Sequence, residues 1–504
     1  MNRTSLMCQR DRNAYAVFTL GVAFAFFVAM VTPALAQVPL VKISADKFGN
    51  GDSQHKTEVE PDTFAFGSTI VSAFQVARIF GGGGADIGFA TSTDGGKTWT
   101  SGYLPGLTVN FKGGSFSAAS DAAVVYDEKH KQWLISTLPI DSNGSPDVAV
   151  SRSTDGIHWG KPIFVDSSGV DDKNWITCDN SKKSKFYGNC YSEWDQGFST
   201  GLIQMSVSTD GGLTWAPGLP TGDQASGLGG QPLVQPNGRV VVPIDGFGGM
   251  VAFSSTNGGK SWSSTVLIAN QNFRGEDGGL RSPGLPSAAV DGAGKIYVVW
   301  PDCTFRSGCY TDDIVISTST NGTSWATPAR IPIDSIKSNV DHFIPGLGID
   351  LATSGKTAHL ALTYYYYPVA SCNNSCELDV GFTTSQDGGK TWTAGKRLAG
   401  PMQLSWLPQS QNGLMVADYL AVAYSNGNPF GVFAVAKAPS GSLFNEAMYT
   451  TKAPLLASAD EPRFSSKGEK PVPNAKGIYV WKYYDDEGEH PIPPSKQRRP
   501  SNQK

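Results

Sequence analysis

Apolar and polar residues alternate in short runs along most of this chain. DIGFATS, DVAVSRS, LIQMSVS, MVAFSS, DIVISTS and DVGFTTS are six of them. Period-two alternation predicts half-buried strands. Each run leads into nearly the same phrase: STDGGKTW from Ser92, STDGIHW from Ser153, STDGGLTW from Ser208, STNGGKSW from Ser255, STNGTSW from Ser319 and SQDGGKTW from Ser385. Asp-Gly or Asn-Gly at the centre is a strong hairpin signal, because glycine tolerates positive φ and the acid or amide bonds its own local backbone. Each phrase is therefore expected to be a hairpin turn, with its tryptophan packed beneath it and another short strand after it.

The central residues are Asp94, Asp155, Asp210, Asn257, Asn321 and Asp387, so successive turns lie 61, 55, 47, 64 and 66 residues apart. Repeats of that length predict an array of equal units, and about four strands fit each period, one propeller blade. Four of the six are Asp and two are Asn. A carboxylate needed for proton transfer has no working amide substitute, whereas a turn-stabilising acceptor does, so these residues read as structural. A second pattern precedes each turn, a pair of strands such as SDAAVVYDEKHKQWLIST or SPGLPSAAVDGAGKIYVVW. A seventh copy of it, DYLAVAYSNGNPFGVFAVA, starts at Asp418 with no turn phrase after it. The expectation is an all-β propeller of seven blades, with VPLVKISA near the N-terminus as a closing strand of the last one.

Over residues 55–440 the chain resembles the Asp-box (BNR) repeat proteins of the sialidase superfamily. That resemblance implies a propeller, for which six blades is the alternative count, and a role in acting on glycans. It also implies where chemistry sits. The stretch FQVARIFGGGGADIGFATSTDGGKTW resembles the family segment in which an arginine and then an aspartate precede the first box. This gives Arg78 a substrate contact and Asp86 the acid/base role. Tyr419, by its late position, becomes the nucleophile, and Glu60 joins the catalytic set as a carboxylate near Asp86 that would raise its proton affinity. Two departures stand out. Val59–Pro61 occupies the place of the family's Arg-Ile-Pro, and Gln231 and Asp245 stand where the assisting glutamate and an arginine belong. Both put sialate itself in doubt as the substrate.

In a propeller the first strand of each blade lines a central funnel. Near those strand starts the chain offers Glu60, Asp121, Asp172, Lys173, Gln231, Arg281, His342 and Asp418, expected to be substrate-binding where not catalytic. An acid-rich funnel suits a neutral or cationic ligand. No cofactor is implied, although clustered carboxylates also suit calcium, which takes six to eight oxygen ligands. YYYY at Tyr364–Tyr367 is expected to alternate between core and surface. GGGG at Gly81–Gly84 lacks the Lys-Ser/Thr of a phosphate loop and reads as a hairpin loop.

Composition supports this picture. Glycine (58) and proline (31) are plentiful and charged residues make up only 17%, as in turn-rich β proteins. A net charge of −4 gives no electrostatic case for nucleic acid. Arg10 and Arg12 precede an apolar run that ends at ALA, Ala34–Ala36, so residues 1–36 read as a signal peptide. The mature protein is then expected to be extracellular or periplasmic, with no membrane span after cleavage, and a monomer. Six cysteines remain, in three close pairs: Cys178 with Cys190, Cys303 with Cys309, Cys372 with Cys376. In a secreted chain these predict three local disulfides. Residues 37–454 form the expected propeller, and 455–504 a polar, proline-rich tail expected to be disordered. The leading function is an exo-acting glycoside hydrolase on an extracellular glycan. A non-catalytic glycan- or protein-binding propeller is the alternative, and a polysaccharide lyase the third.

Overall fold

The structure, a computed structural model, describes residues 38–455 and 461–472, together with the backbone of the strand pair Lys482–Asp485 and Gly488–Pro491. The expected signal peptide lies outside the described residues. The protein is all-β, its only helical elements being four single 3-10 turns among the described residues.

The strands assemble in sequence order into antiparallel ladders. Ser53–Phe66, Thr69–Ile79, Gly84–Ser92 and Thr100–Tyr103 form the first ladder, and Ala118–Asp127, Gln132–Ile140, Val148–Ser153 and Ile163–Asp166 the second. A single pairing of Gly84 with Ala119 joins these two. Four-stranded sheets follow over Asp171–Pro220, Leu233–Asn270, Ser287–Arg330 and Asp341–Gln403. The last unit comprises Val422–Ser425 paired with Asn428–Gly431, and Phe433–Ala436 paired with Glu446–Thr451. Leu40–Lys42, from the other end of the chain, adds to Glu446–Thr451 as the outer strand. This is the added strand on the last unit expected from VPLVKISA.

Packing runs from sheet to sheet. Tyr191, Ile203 and Met205 of the third meet Val242, Phe253 and Trp262 of the fourth. Val241 and Met250 of the fourth meet Ile296 and Trp300 of the fifth. One cluster draws together Phe74 and Val76 of the first sheet, Tyr365 and Val380 of the sixth, and Phe433 and Met448 of the last unit. Most strands are therefore covered on both faces. Tyr364, Tyr365 and Tyr367 are all buried and Tyr366 is half-buried, so the expected alternation of core and surface does not occur there. The reason is that the sheets stack face to face and leave few strand positions open to water.

The six recurrent turns close the third strand of their ladders on the fourth. In the first, Asp94 Oδ1 accepts the backbone N–H of Lys97 (3.0 Å) and Thr98 (2.9 Å), and Oδ2 accepts the Thr98 hydroxyl (2.7 Å). Asn257 makes the same backbone bond, to Ser261 N at 3.1 Å, while its Nδ2 donates to the Ser261 hydroxyl at 2.8 Å. The Trp99, Trp159 and Trp392 indoles donate to the glycine carbonyl three residues before them. All three cysteine pairs are disulfides.

In the tail segment, Arg463–Phe464 pairs with Trp392–Thr393, and Val472 N donates to Thr304 O at 2.9 Å.

Candidate functional site

Four leading strands share an irregularity near their starts. Their registers slip between Val59 and Asp62, Ser120 and Ala123, Asp172 and Trp175, and Phe343 and Gly346. Inside each slip one non-glycine residue is left-handed: Glu60 (φ 55°), Asp121 (47°), Lys173 (45°) and Ile344 (47°). A bulge adds a residue to one strand and re-aims its side chain. Such backbone costs about 1–3 kcal/mol per residue and persists only where its surroundings hold it. Here three of the four residues are ionisable, and those three meet.

Lys173 is the hub. Its Nζ lies 2.8 Å from Asp121 Oδ1, 2.7 Å from Asp418 Oδ2 and 3.6 Å from Glu60 Oε1. Arg281 donates through Nε to Asp418 Oδ1 at 2.7 Å and through Nη2 to Oδ2, a two-pronged grip, and also lies 3.9 Å from Glu60 Oε1. Gln75 Nε2 donates to Glu60 Oε2 and to the Ser120 hydroxyl, which in turn donates to Asp121 Oδ2 at 2.7 Å. Tyr419 lies beneath this group. Lys173 Nζ stands 5.0 Å from the centre of its ring, Trp175 meets the ring edge-on, and its hydroxyl donates to Ala122 O at 3.4 Å. Thus Glu60, Asp121, Lys173, Arg281, Asp418 and Tyr419, chosen from five separate parts of the sequence, converge. Asp172 joins them through its neighbours, partly exposed, its Oδ1 accepting the Lys173 amide at 2.9 Å.

Burial and charge push these carboxyls in opposite directions. Burial raises Glu60 to about 8 against the pull of Lys173. Burial and the neighbouring Asp121 raise Asp172 to about 6. Burial also opposes the charge of Asp418, but Arg281 and Lys173 outweigh it and hold that carboxyl well below the usual range. Burial, then Glu60, pushes the Tyr419 hydroxyl well above its ordinary value.

The remaining candidates lie elsewhere. Asp86 is fully buried; its Oδ1 accepts the Ile87 amide at 2.7 Å and its other polar contact is Thr108, with no member of the cluster among its partners. It pairs across the strand with Val76, whose side chain belongs to the core, so the alternation that buries Val76 turns Asp86 away from Glu60. Arg78 is 3% exposed and is held by Met415 Sδ (3.1 Å) and by Gly83 O, with no carboxylate of the described residues in ion-pair range. Burial, then repulsion from Arg281, lowers it to about 10. Gln231 ties two sheets together, its Oε1 accepting the Ala288 amide at 2.8 Å. His342 points into a buried network, 3.9 Å from Asp334 and stacked on Tyr366; burial lowers its basicity. Asp313, Asp334 and His342 bring ligand-type atoms within 4.8 Å of one another, but Arg306 and Arg330 already hold both carboxylates.

The sequence reading missed Gln75 and Ser120, which support Glu60 and Asp121, and the paired acids Glu193 and Asp195 behind Asp172. A signal for the last two existed: YSEWDQ places two acids two residues apart in an otherwise uncharged strand.

No family model matches the chain, and no curated protein matches it. Solved structures do. A protein of unknown function from Dyadobacter fermentans is 15% identical, over 70% of this chain and 100% of that one, with a TM-score of 0.44. An ulvan lyase of polysaccharide lyase family PL25 is 12% identical, over 81% and 95%, at 0.47. An intramolecular trans-sialidase from Ruminococcus gnavus is 14% identical, over 86% and 99%, at 0.41. At these scores and identities the likenesses carry no argument for the fold or chemistry of this chain, which rest on its own strands and side chains.

Proposed function

We propose that the chain is a secreted, sialidase-like β-propeller of seven blades, six of them carrying the Asp-box turn, closed by Leu40–Lys42, whose central cluster cleaves a glycosidic bond in an extracellular glycan, most concretely as an exo-acting hydrolase. One observation carries the chemistry: two carboxyls with opposite proton affinities share a single lysine. Glu60 keeps its proton at neutral pH, and Asp418 stays ionised. Environments that push two titratable groups apart are what an acid and a base or nucleophile require. Glu60 then donates its proton to the glycosidic oxygen as the C–O bond breaks, and the negative charge of Asp418 stabilises the positive charge that develops on the sugar. A water bonds through its oxygen to the anomeric carbon while giving its proton back to the Glu60 carboxylate. Lys173 holds both in place, and Arg281, 20% exposed, orients Asp418 and faces the ligand.

The acid role goes to Glu60 because Asp86 does not reach the cluster. Tyr419 serves as the platform under Lys173, since its hydroxyl is committed to Ala122 and holds its proton tightly. A neutral sugar fits better than sialate. Sialate needs free guanidinium groups for its carboxylate, whereas Arg281 already grips Asp418 and Arg78 is buried on Met415. Calcium fits poorly, because the carboxylates it would need are held by Lys173 and Arg281.

The test is a panel of sialosides, neutral glycosides and uronate polysaccharides, scored for released sugar and for unsaturated ends. Glu60→Gln should lower turnover roughly 100-fold or more while leaving binding nearly intact, the usual contribution of general acid catalysis. Unsaturated ends would point to a lyase instead. Binding without any release would establish the second reading, a recognition propeller, which is favoured by the deep burial and mutual pairing of Asp121, Lys173 and Asp418.

A further inference from the structure

Behind Asp172 the third sheet carries two acids that the proposed chemistry does not use. Glu193 and Asp195 lie two residues apart on Cys190–Gln196 and so share one face of the strand. Glu193 has no solvent exposure, and neither of its carboxyl oxygens has a donor. Asp195 is 2% exposed; its Oδ2 accepts the Gly229 amide at 3.2 Å and its Oδ1 has no donor. The two carboxyls meet each other at hydrogen-bonding range. Gly230, in the segment leading into the next sheet, lies against Glu193. A Cβ at that position would lie 2.6 Å from the Glu193 carboxyl carbon, so only a glycine lets the backbone close over it. On the adjacent strand Asp172 is the direct cross-strand partner of Asp195, an arrangement that sets like charges opposite. The other charged groups facing the pair are Lys173, beside Asp172, and Asp245, at the end of Val240–Asp245. Lys173 is already in contact with Asp121 and Asp418.

Two touching carboxylates in a dry site, with no cation of their own, cannot both be ionised. We propose that Glu193 and Asp195 share a single proton, and that this buried dyad fixes the charge state of Asp172, the partly exposed carboxyl of the cluster. The shared proton turns two unsatisfied acceptors into a donor and an acceptor. It leaves one negative charge facing Asp172, which adds to burial and to Asp121 in keeping that carboxyl protonated to higher pH than an isolated aspartate. Glu193 and Asp195 are positioning residues: neither touches the ligand-facing side of the cluster. The dyad stands independently of the glycoside-cleaving reading, and only its effect on turnover rests on that reading.

The experiment compares the intact protein with two variants, by infrared spectroscopy of protonated carboxyls and by carboxyl-carbon NMR titration of Asp172. Glu193→Gln should remove one protonated-carboxyl band at neutral pH. It should leave the Asp172 midpoint in place, because the amide donates to an ionised Asp195 and the net charge is unchanged. Asp195→Asn leaves Glu193 alone and neutral, so the Asp172 midpoint should fall by about one unit. An unchanged infrared spectrum in Glu193→Gln, or an unmoved Asp172 midpoint in Asp195→Asn, overturns the proposal. Should Glu193→Gln fail to fold, the Asp172 midpoint in Asp195→Asn decides alone. If the protein turns over a glycan, the acid limb of its pH–rate profile should move with that midpoint. A moved midpoint in a protein with no turnover would reject the hydrolase and keep the dyad.

Discussion

The recurrent turns and the central cluster are built from the same residue type and treat it in opposite ways. Asp94 lies at the surface and collects bonds from Thr98, Ser92 and Lys97, which hold its carboxyl well below the usual range. Glu60 and Asp172 lie in the interior, where burial holds protons on them, whereas Asp418, gripped by Arg281 and Lys173 together, escapes that pressure. What a carboxylate does is therefore set by its donors and its dielectric surroundings. The turns need only an oxygen acceptor, so Asn257 and Asn321 serve as well as Asp. The cluster needs charge at fixed points, and an amide there would leave Lys173 unbalanced.

The largest effect should come from removing the hub of the cluster. Lys173→Met leaves Asp121 and Asp418 buried beside a missing cation, and breaking a buried pair from one side typically costs about 3–5 kcal/mol. Urea unfolding should show that loss. A variant as stable as its parent would mean that the cluster is not held by charge.

Next is pH, where the two kinds of acid should give slopes of opposite sign. Glu58, 1% exposed, is raised by burial from 4.5 to about 7, against one hydrogen bond from Ser44. Between those values the unfolded chain has released the proton and the folded chain still holds it. Stability should therefore fall as pH climbs from about 4.5 to 7, by on the order of 3 kcal/mol, and Glu58→Gln should flatten that slope. The turn acids act the other way. Burial opposes the charge of Asp387, but Thr391 and Ser385 outweigh it and lower its carboxyl, so its contribution is present above 3.8 and is lost on acidification. Thermal melts across pH, parent against Glu58→Gln, separate the two.

The smallest effect tests the turn alone. Asp387→Ala removes the acceptor for the Lys390 and Thr391 amides and the Thr391 hydroxyl and should cost about 1 kcal/mol. Asp387→Asn should cost almost nothing, because Asn257 shows how an amide re-forms the same turn by donating to the hydroxyl. An Asn variant as damaged as the Ala variant would show that charge, not acceptance, holds these turns.

Much of the strand order was legible because it is written locally. Alternation, Asp-Gly turns and close cysteine pairs each depend on residues within a few positions of one another. The convergence of Glu60, Asp121, Lys173, Arg281 and Asp418 was partly legible, since each stands near the start of a repeated strand pair. What alternation could not supply was direction. A bulge moves one residue by half a strand period, so Glu60 turns toward Lys173 while Asp86, in an unbroken strand, faces the core beside Val76. His342 likewise precedes the slip in its strand and points into the Arg306–Asp313 network. Glu193 and Asp195 were passed over because they sit on a second strand rather than a first, where the repeat pattern gave no reason to look.

The pairing of Leu40–Lys42 with Glu446–Thr451 has a consequence for how the molecule is made. These partners are about as distant in the chain as any two described strands, so the contact has the highest loop-closure cost and forms late. During synthesis the strands within every earlier ladder pair within a few dozen residues, while the N-terminal strand must wait, with its backbone donors unpaired, until the last sheet has emerged. A nascent chain that stops short of Glu446 thus presents an open strand at one end and an uncovered sheet at the other, the kind of paired edges through which chains aggregate. Keeping the first strand from finding a foreign partner during that interval is a task for whatever accompanies the chain on its way to the folded state.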